Sequence, residues 1–131
     1  MSEIFGNLRF GTIITLRGRR YFDFVLRVDI MTKGKGSVGI VFRMVDPFNY
    51  FAFEFNIEYS YKQLVKVKNG VKHVLLNIPD GGITLNNWFK VLIQAETNRF
   101  IIRAGDSKKY SNYQAAPIIF NFLDDSFPKG E

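Results

Sequence analysis

The chain contains no cysteine, which removes disulfide staples, thiol nucleophiles and thiolate metal sites at once. That absence fits a cytosolic compartment, although secreted β-sandwich modules also do without Cys. No run of about 18 apolar residues is present that could span a bilayer as a helix, and no charged-then-apolar leader of the signal-peptide kind opens the chain. Histidine occurs once, as His73 between Lys72 and Val74, with no partner motif for nucleophilic or acid–base catalysis around it. Alanine is scarce and runs of Ala, Leu and Glu are missing, so no helix is expected.

What is present is aromatic. Phe occurs 14 times and Tyr 6 times in 131 residues, and 47% of the chain is hydrophobic. Aromatic and β-branched side chains suit a pleated, half-buried surface, and this much apolar material can fill one core. Turn signals recur about every ten residues with no linker, repeat or low-complexity stretch between them, so residues 1–131 are expected to form a single all-β domain. The net charge of +6 admits nucleic acid, anionic lipid or acidic glycan as partner; a small soluble domain also commonly carries that charge for solubility alone.

The segment Phe22–Ile30 is apolar at every even position and carries Asp23, Arg27 and Asp29 at odd ones. Period two means a strand with one dry and one polar face. Val38–Val45 has Val38, Ile40, Phe42 and Met44 on one parity and Arg43 on the other, while Tyr50–Ile57 has Phe51, Phe53, Phe55 and Ile57 against Tyr50, Glu54 and Asn56. A four-residue turn at Asp46-Pro47-Phe48-Asn49 would pair Val45 with Tyr50, Arg43 with Ala52 and Val41 with Glu54. Directly paired residues share a face, so the two apolar sets coincide, and a one-residue slip would break the agreement. Asn69-Gly70 suits a type I′ turn between strands over 64–68 and 71–76. Further strands are expected at 13–16, 88–94 (Phe89, Val91 and Ile93 inward), 99–103 and 118–122. About ten short strands in one domain predict a two-sheet antiparallel β-sandwich.

Phe22-Asp23-Phe24-Val25-Leu26, then Gly39-Ile40-Val41-Phe42-Arg43 and Asn49-Tyr50-Phe51-Ala52-Phe53, resemble the concanavalin A-like, laminin G-like jelly-roll superfamily, with thrombospondin C-terminal domains and the glycan-binding or glycoside-processing sandwiches as the nearer relatives in pattern. Leu64–Val67 before Asn69-Gly70, and Asn87–Val91, are similar to its later strands. The resemblance spans about residues 10–127 and implies a jelly-roll sandwich in an extracellular or secretory setting. It is poor for function, because lectins, adhesion modules and hydrolases share the fold. In that superfamily a segment like Asp124–Gly130 is followed by further strands, so the chain is expected either to lack its last strand or strands, or to have its sheet completed by another chain or by self-association.

The polar sheet face carries the functional expectation. Arg27, Arg43, Tyr50, Glu54, Trp88 and Lys90 are the candidate ligand-binding residues, beside Asp23, Asp29 and Asn56. Arginine planes and aromatic rings next to carboxylates grip sugar hydroxyls or a peptide, and the resemblance often makes that face the concave one; a solvated face of ordinary cross-strand pairs is the bland alternative. The expected function is a non-catalytic binding or adhesion-type module for a glycan or protein, the alternatives being a carbohydrate-active enzyme domain or a structural subunit. For enzymatic chemistry, Glu54 and Glu58 would stand about 13 Å apart along a strand, too far for the roughly 5.5 Å or 6.5–9.5 Å that glycosidases use; Glu54 across strands from Asp23 or Asp29 stays open. No cofactor is expected. Calcium has two weak loop candidates, Asp46 with Asn49 and Asp80 with Asn86. Gly34-Lys35-Gly36-Ser37 lacks phosphate-loop spacing. Arg17, Arg19, Arg20, Lys33, Lys35, Lys66, Lys68 and Lys72 could form a heparin-like or phospholipid-facing patch, while the lack of a recognition-module aromatic pattern argues against nucleic acid.

Overall fold

The computed structural model describes residues 2–9, 12–17, 22–33, 36–56, 59–79 and 86–124. Their alternating sequences form ten strands: β1 (Ser2–Arg9), β2 (Thr12–Arg17), β3 (Phe24–Met31), β4 (Ser37–Asp46), β5 (Asn49–Asn56), β6 (Tyr61–Lys68), β7 (Val71–Ile78), β8 (Trp88–Glu96), β9 (Arg99–Asp106) and β10 (Ile118–Leu123). A first sheet runs β1-β3-β8-β9-β10 and a second runs β2-β4-β5-β6-β7. They pack as a β-sandwich, as the periodicity predicts.

The inward parities hold. Phe24, Leu26, Val28 and Ile30 of β3, Phe89, Val91 and Ile93 of β8, and Phe100 and Ile102 of β9 meet Val38, Ile40 and Phe42 of β4, Phe51, Phe53 and Phe55 of β5, and Leu64 of β6. Phe42, Phe53 and Phe55 are completely buried. The Phe42 ring lies 5.7 Å from Phe24, 5.8 Å from Phe51 and 5.3 Å from Phe100, within the range where offset and edge-on aromatic pairs add to simple burial.

Three features differ from expectation. Both sheets are mixed, because β1 pairs parallel with β3 and β2 pairs parallel with β4. β1 itself was not anticipated: Gly6 occupies an inward position and Phe5 an outward one, which erases the alternation. The β4–β5 hairpin turns through Pro47 and Phe48 alone, with Asp46 opposite Asn49, and its register then shifts so that Val41 pairs with Ala52 and Gly39 with Glu54. Arg43, Met44 and Val45 therefore stand opposite Tyr50 alone, and Arg43 adopts a left-handed φ of 50°. This bulge displaces the ladder by two residues, and two is a full side-chain period, so the buried parity survives. The second hairpin follows its Asn-Gly signal: Lys68 pairs with Val71, and Asn69 and Gly70 have φ of 52° and 77°, as a type I′ turn requires.

Candidate functional site

The six sequence-predicted residues do not share one face. β3 and β8 belong to the first sheet and β5 to the second. Arg27, Trp88 and Lys90 therefore lie on one outer surface of the sandwich, and Tyr50 and Glu54 on the opposite one.

Arg43 lies on neither. The bulge turns it inward, where it is 3% exposed. Its Nε donates to the Phe22 carbonyl at 2.9 Å, one terminal nitrogen to the Thr97 carbonyl, and the other to Asp23 Oδ1 at 3.1 Å. The guanidinium is held between the rings of Phe22 and Phe100, 3.7 and 4.8 Å from their centroids. Burial pulls its pKa down to about 10, partly offset by the Asp23 charge. Arg43 is a clamp between the sheets, and Asp23, which also accepts the Thr97 N–H at 2.9 Å, belongs to that clamp.

On the first sheet the ladder aligns Asn7, Asp29 and Lys90 in one row and Phe5, Arg27 and Leu92 in the next. A 370 Å³ pocket opens there, lined by Asn7, Asp29, Trp88, Lys90 and Ser107. Lys90 Nζ stands 3.7 Å from Asp29 Oδ1, an ion pair too long to be a hydrogen bond. Asp29 Oδ1 and Ser107 Oγ are both buried without a hydrogen-bond partner, a rare condition in folded proteins. Arg27 lies 3.2 Å from Glu3 and over the Phe5 ring.

Ser107 opens a segment that the period-two pattern could not reveal. After β9, Asp106 caps a turn, accepting the Lys108 N–H on Oδ1 at 2.8 Å, and that bond holds its carboxyl below the usual range. The chain then crosses the sheet through a 3-10 turn at Tyr113–Ala115 capped by Asn112. The Tyr110 ring rests directly on Gly105: a methyl group there would come within 2.5 Å of it. The Tyr113 ring lies 5.5 Å from Lys90 Nζ, and its hydroxyl is pushed above the ordinary tyrosine pKa by burial, then by the Asp29 charge and a hydrogen bond to the Asp29 carboxylate. Asn7, Ser107 and Tyr113 carried no sequence signal, since they sit on an unrecognised strand and an irregular crossing.

On the second sheet, Tyr50 and Glu54 border a 340 Å³ groove floored by Val41, Ala52, Val65 and Val67, and Glu54 lies 3.4 Å from Lys72. Glu54 and Asp29 face opposite sides of the sandwich and Asp23 is bound to Arg43, so neither cross-strand carboxylate pair forms. Glu58 lies outside the described residues, as do Arg19, Arg20, Lys35, Asp80 and the segment after Asp124. The Asp46 carboxylate serves its own turn, accepting from Phe48 N at 2.8 Å and Asn49 Nδ2 at 2.9 Å. Among the described residues no group of three or more His, Asp or Glu could hold a metal ion. Lys66 leaves the expected basic patch: its Nζ is 2.9 Å from Asp124 at the open side of the sandwich. His73 is an exposed residue of β7 opposite Lys66.

No protein-family model and no curated protein sequence matches this chain. Among solved structures it is similar to the carbohydrate binding module CBM66 from Bacillus subtilis, with 23% sequence identity and a TM-score of 0.60 over 80% of this chain. The chain spans 61% of that structure's length. The likeness shows that the chain shares the β-sandwich fold of that module.

Proposed function

We propose that this chain is a non-catalytic module that binds a glycan in the Asp29–Trp88–Lys90 pocket of the first sheet. The observation that carries this reading is the pair of buried oxygens without a hydrogen-bond partner, Asp29 Oδ1 and Ser107 Oγ, in a pocket lined also by Lys90 and Trp88. Sugar hydroxyls both donate and accept. A carboxylate accepts from them, Lys90 donates to them, and serine and asparagine do both. Trp88 offers the apolar surface that a pyranose or furanose C–H face needs. The CBM66 likeness supports this choice, because a protein of this architecture is a carbohydrate binding module. The sequence resemblance to the concanavalin A-like, laminin G-like jelly roll belongs to the same proposal, as does an adhesion-type role.

A glycan array followed by calorimetry on the best ligand tests it. Asp29→Asn, Trp88→Ala and Lys90→Ala should each weaken binding by about tenfold or more, the loss of one good contact, with melting temperatures within a few degrees. Tyr50→Ala and Glu54→Ala, on the opposite face, should bind normally. Unchanged affinity in the first three variants, or a loss confined to the last two, overturns the assignment.

A further inference from the structure

Two hairpin tips lie side by side at one end of the second sheet: Pro47-Phe48 between β4 and β5, and Asn69-Gly70 between β6 and β7. Gly70 N donates to the Phe48 carbonyl and Asn69 N to Asn49 Oδ1, both at 2.9 Å. With the Asp46 cap, these bonds fix both turns against each other. The tip is rigid, and its apolar residues point outward: Phe48 is 63% exposed, Val71 56% and Val45 39%.

Turn chemistry does not ask for Phe48. A tight turn favours Gly, Asn, Asp or Ser beyond the proline, each for a backbone reason, and phenylalanine supplies none of them. Its ring rests against Gly70, 3.6 Å from where a Cβ would stand, yet most of it remains in water. Lysines stand beside these apolar residues. Lys68 and Lys72 flank the Asn-Gly turn, followed by His73, and all three are exposed. Lys68 has no ion pair among the described residues, Lys72 stands 3.4 Å from Glu54 with its side chain still 53% exposed, and the nearby Asp46 carboxylate is occupied by its own turn.

We propose that this double tip is a contact surface for an anionic lipid bilayer, with Phe48 and Val71 entering the headgroup layer and Lys68 and Lys72 meeting the lipid charges. Apolar side chains ringed by lysine are the chemistry of reversible interfacial binding. The tip projects rather than enclosing a groove, so a flat, deformable, negatively charged partner fits it. It lies on the sheet opposite the proposed glycan pocket, so the two proposals stand or fall separately.

The test is sedimentation of the whole chain with vesicles of phosphatidylcholine alone or mixed with phosphatidylserine. Binding is expected only to the mixed vesicles, weakening as salt rises. Phe48→Ser should reduce it by about tenfold, and Lys68→Glu with Lys72→Glu should abolish it. Phe48→Trp should retain it and show quenching by brominated lipid beyond that of the native Trp88. Circular dichroism and melting temperature should be unchanged in every variant. Absence of binding at low salt, equal binding to the uncharged vesicles, or full binding by Phe48→Ser overturns the proposal. Retention on heparin without vesicle binding also overturns it, assigning the lysines to a soluble polyanion.

Discussion

Arg43→Ala should cost about 3–4 kcal/mol of stability. The substitution removes hydrogen bonds from a charged donor to the carbonyls of half-buried Phe22 and exposed Thr97, and a hydrogen bond to a charged group is worth roughly 1.5–3 kcal/mol. It also removes a cation held between two rings, worth about 1–2 kcal/mol when desolvated. The Coulomb contribution is smaller, because the Asp23 side chain is 41% exposed and water takes over its charge. Arg43→Gly should be less damaging than Arg43→Ala by about 0.4–1 kcal/mol, since glycine accepts the φ of 50° without strain. Arg43→Lys keeps the charge but cannot reproduce three divergent donors, and should fall between wild type and alanine. The sign of the pH effect follows from the lowered pKa. Between about 10 and the ordinary arginine range the unfolded chain binds the extra proton, so this group makes stability rise with pH there and contributes no pH dependence near neutrality. Urea denaturation measures all of this as a shift in midpoint at constant slope. An Arg43→Ala midpoint within error of wild type would refute the clamp.

Phe53→Ala should be of similar size, about 3–5 kcal/mol, and Phe42→Ala should reach the upper end. Both side chains are fully buried. Phe42 touches three other rings across the two sheets, whereas Phe53 packs against Phe55 and Phe120 at 6.5 and 6.1 Å. A domain of this size holds only about 5–15 kcal/mol in total, so either variant should be partly unfolded well below the wild-type melting temperature. A loss under about 1.5 kcal/mol in thermal and urea melts would mean the cavity collapses freely and the core is less tightly packed than its geometry requires.

Inside and outside were legible in the sequence, because a strand's two faces alternate with period two and one face had to be dry. The buried sets of β3, β4, β5 and β8 follow from that alone, as does the Asn69-Gly70 turn. Which outside was not legible. Parity says that Arg27 and Tyr50 both point away from the core, but it carries no information about which sheet each strand joins, and they point in opposite directions. Arg43 escaped for a different reason: a bulge changes one residue's orientation while leaving the alternation before and after it intact. Parity placed Trp88, Lys90 and Asp29 on an outward face, but that Asn7, Ser107 and Tyr113 lie near them depends on a parallel edge strand and a crossing segment whose positions only the assembled sandwich defines.

The strand order also constrains the time course of folding. β4 to β7 form an uninterrupted meander, each strand paired with its neighbour in sequence. In the first sheet β8, β9 and β10 are also neighbours in sequence, but Phe24 of β3 must find Ala95 of β8 across a long intervening chain, and β1 pairs with β3. Closing a long loop before any contact rewards it is slow. The meander is therefore expected to acquire hydrogen-exchange protection first, in pulse-labelled refolding, and β3 with β8 later; simultaneous protection would show one concerted nucleus instead. Since the pocket is assembled from β1, β3, β8 and the end of β9, it comes into existence only when the slowest pairing is complete, and a ligand held there would act as a latch on the finished molecule, slowing its unfolding without hastening its formation.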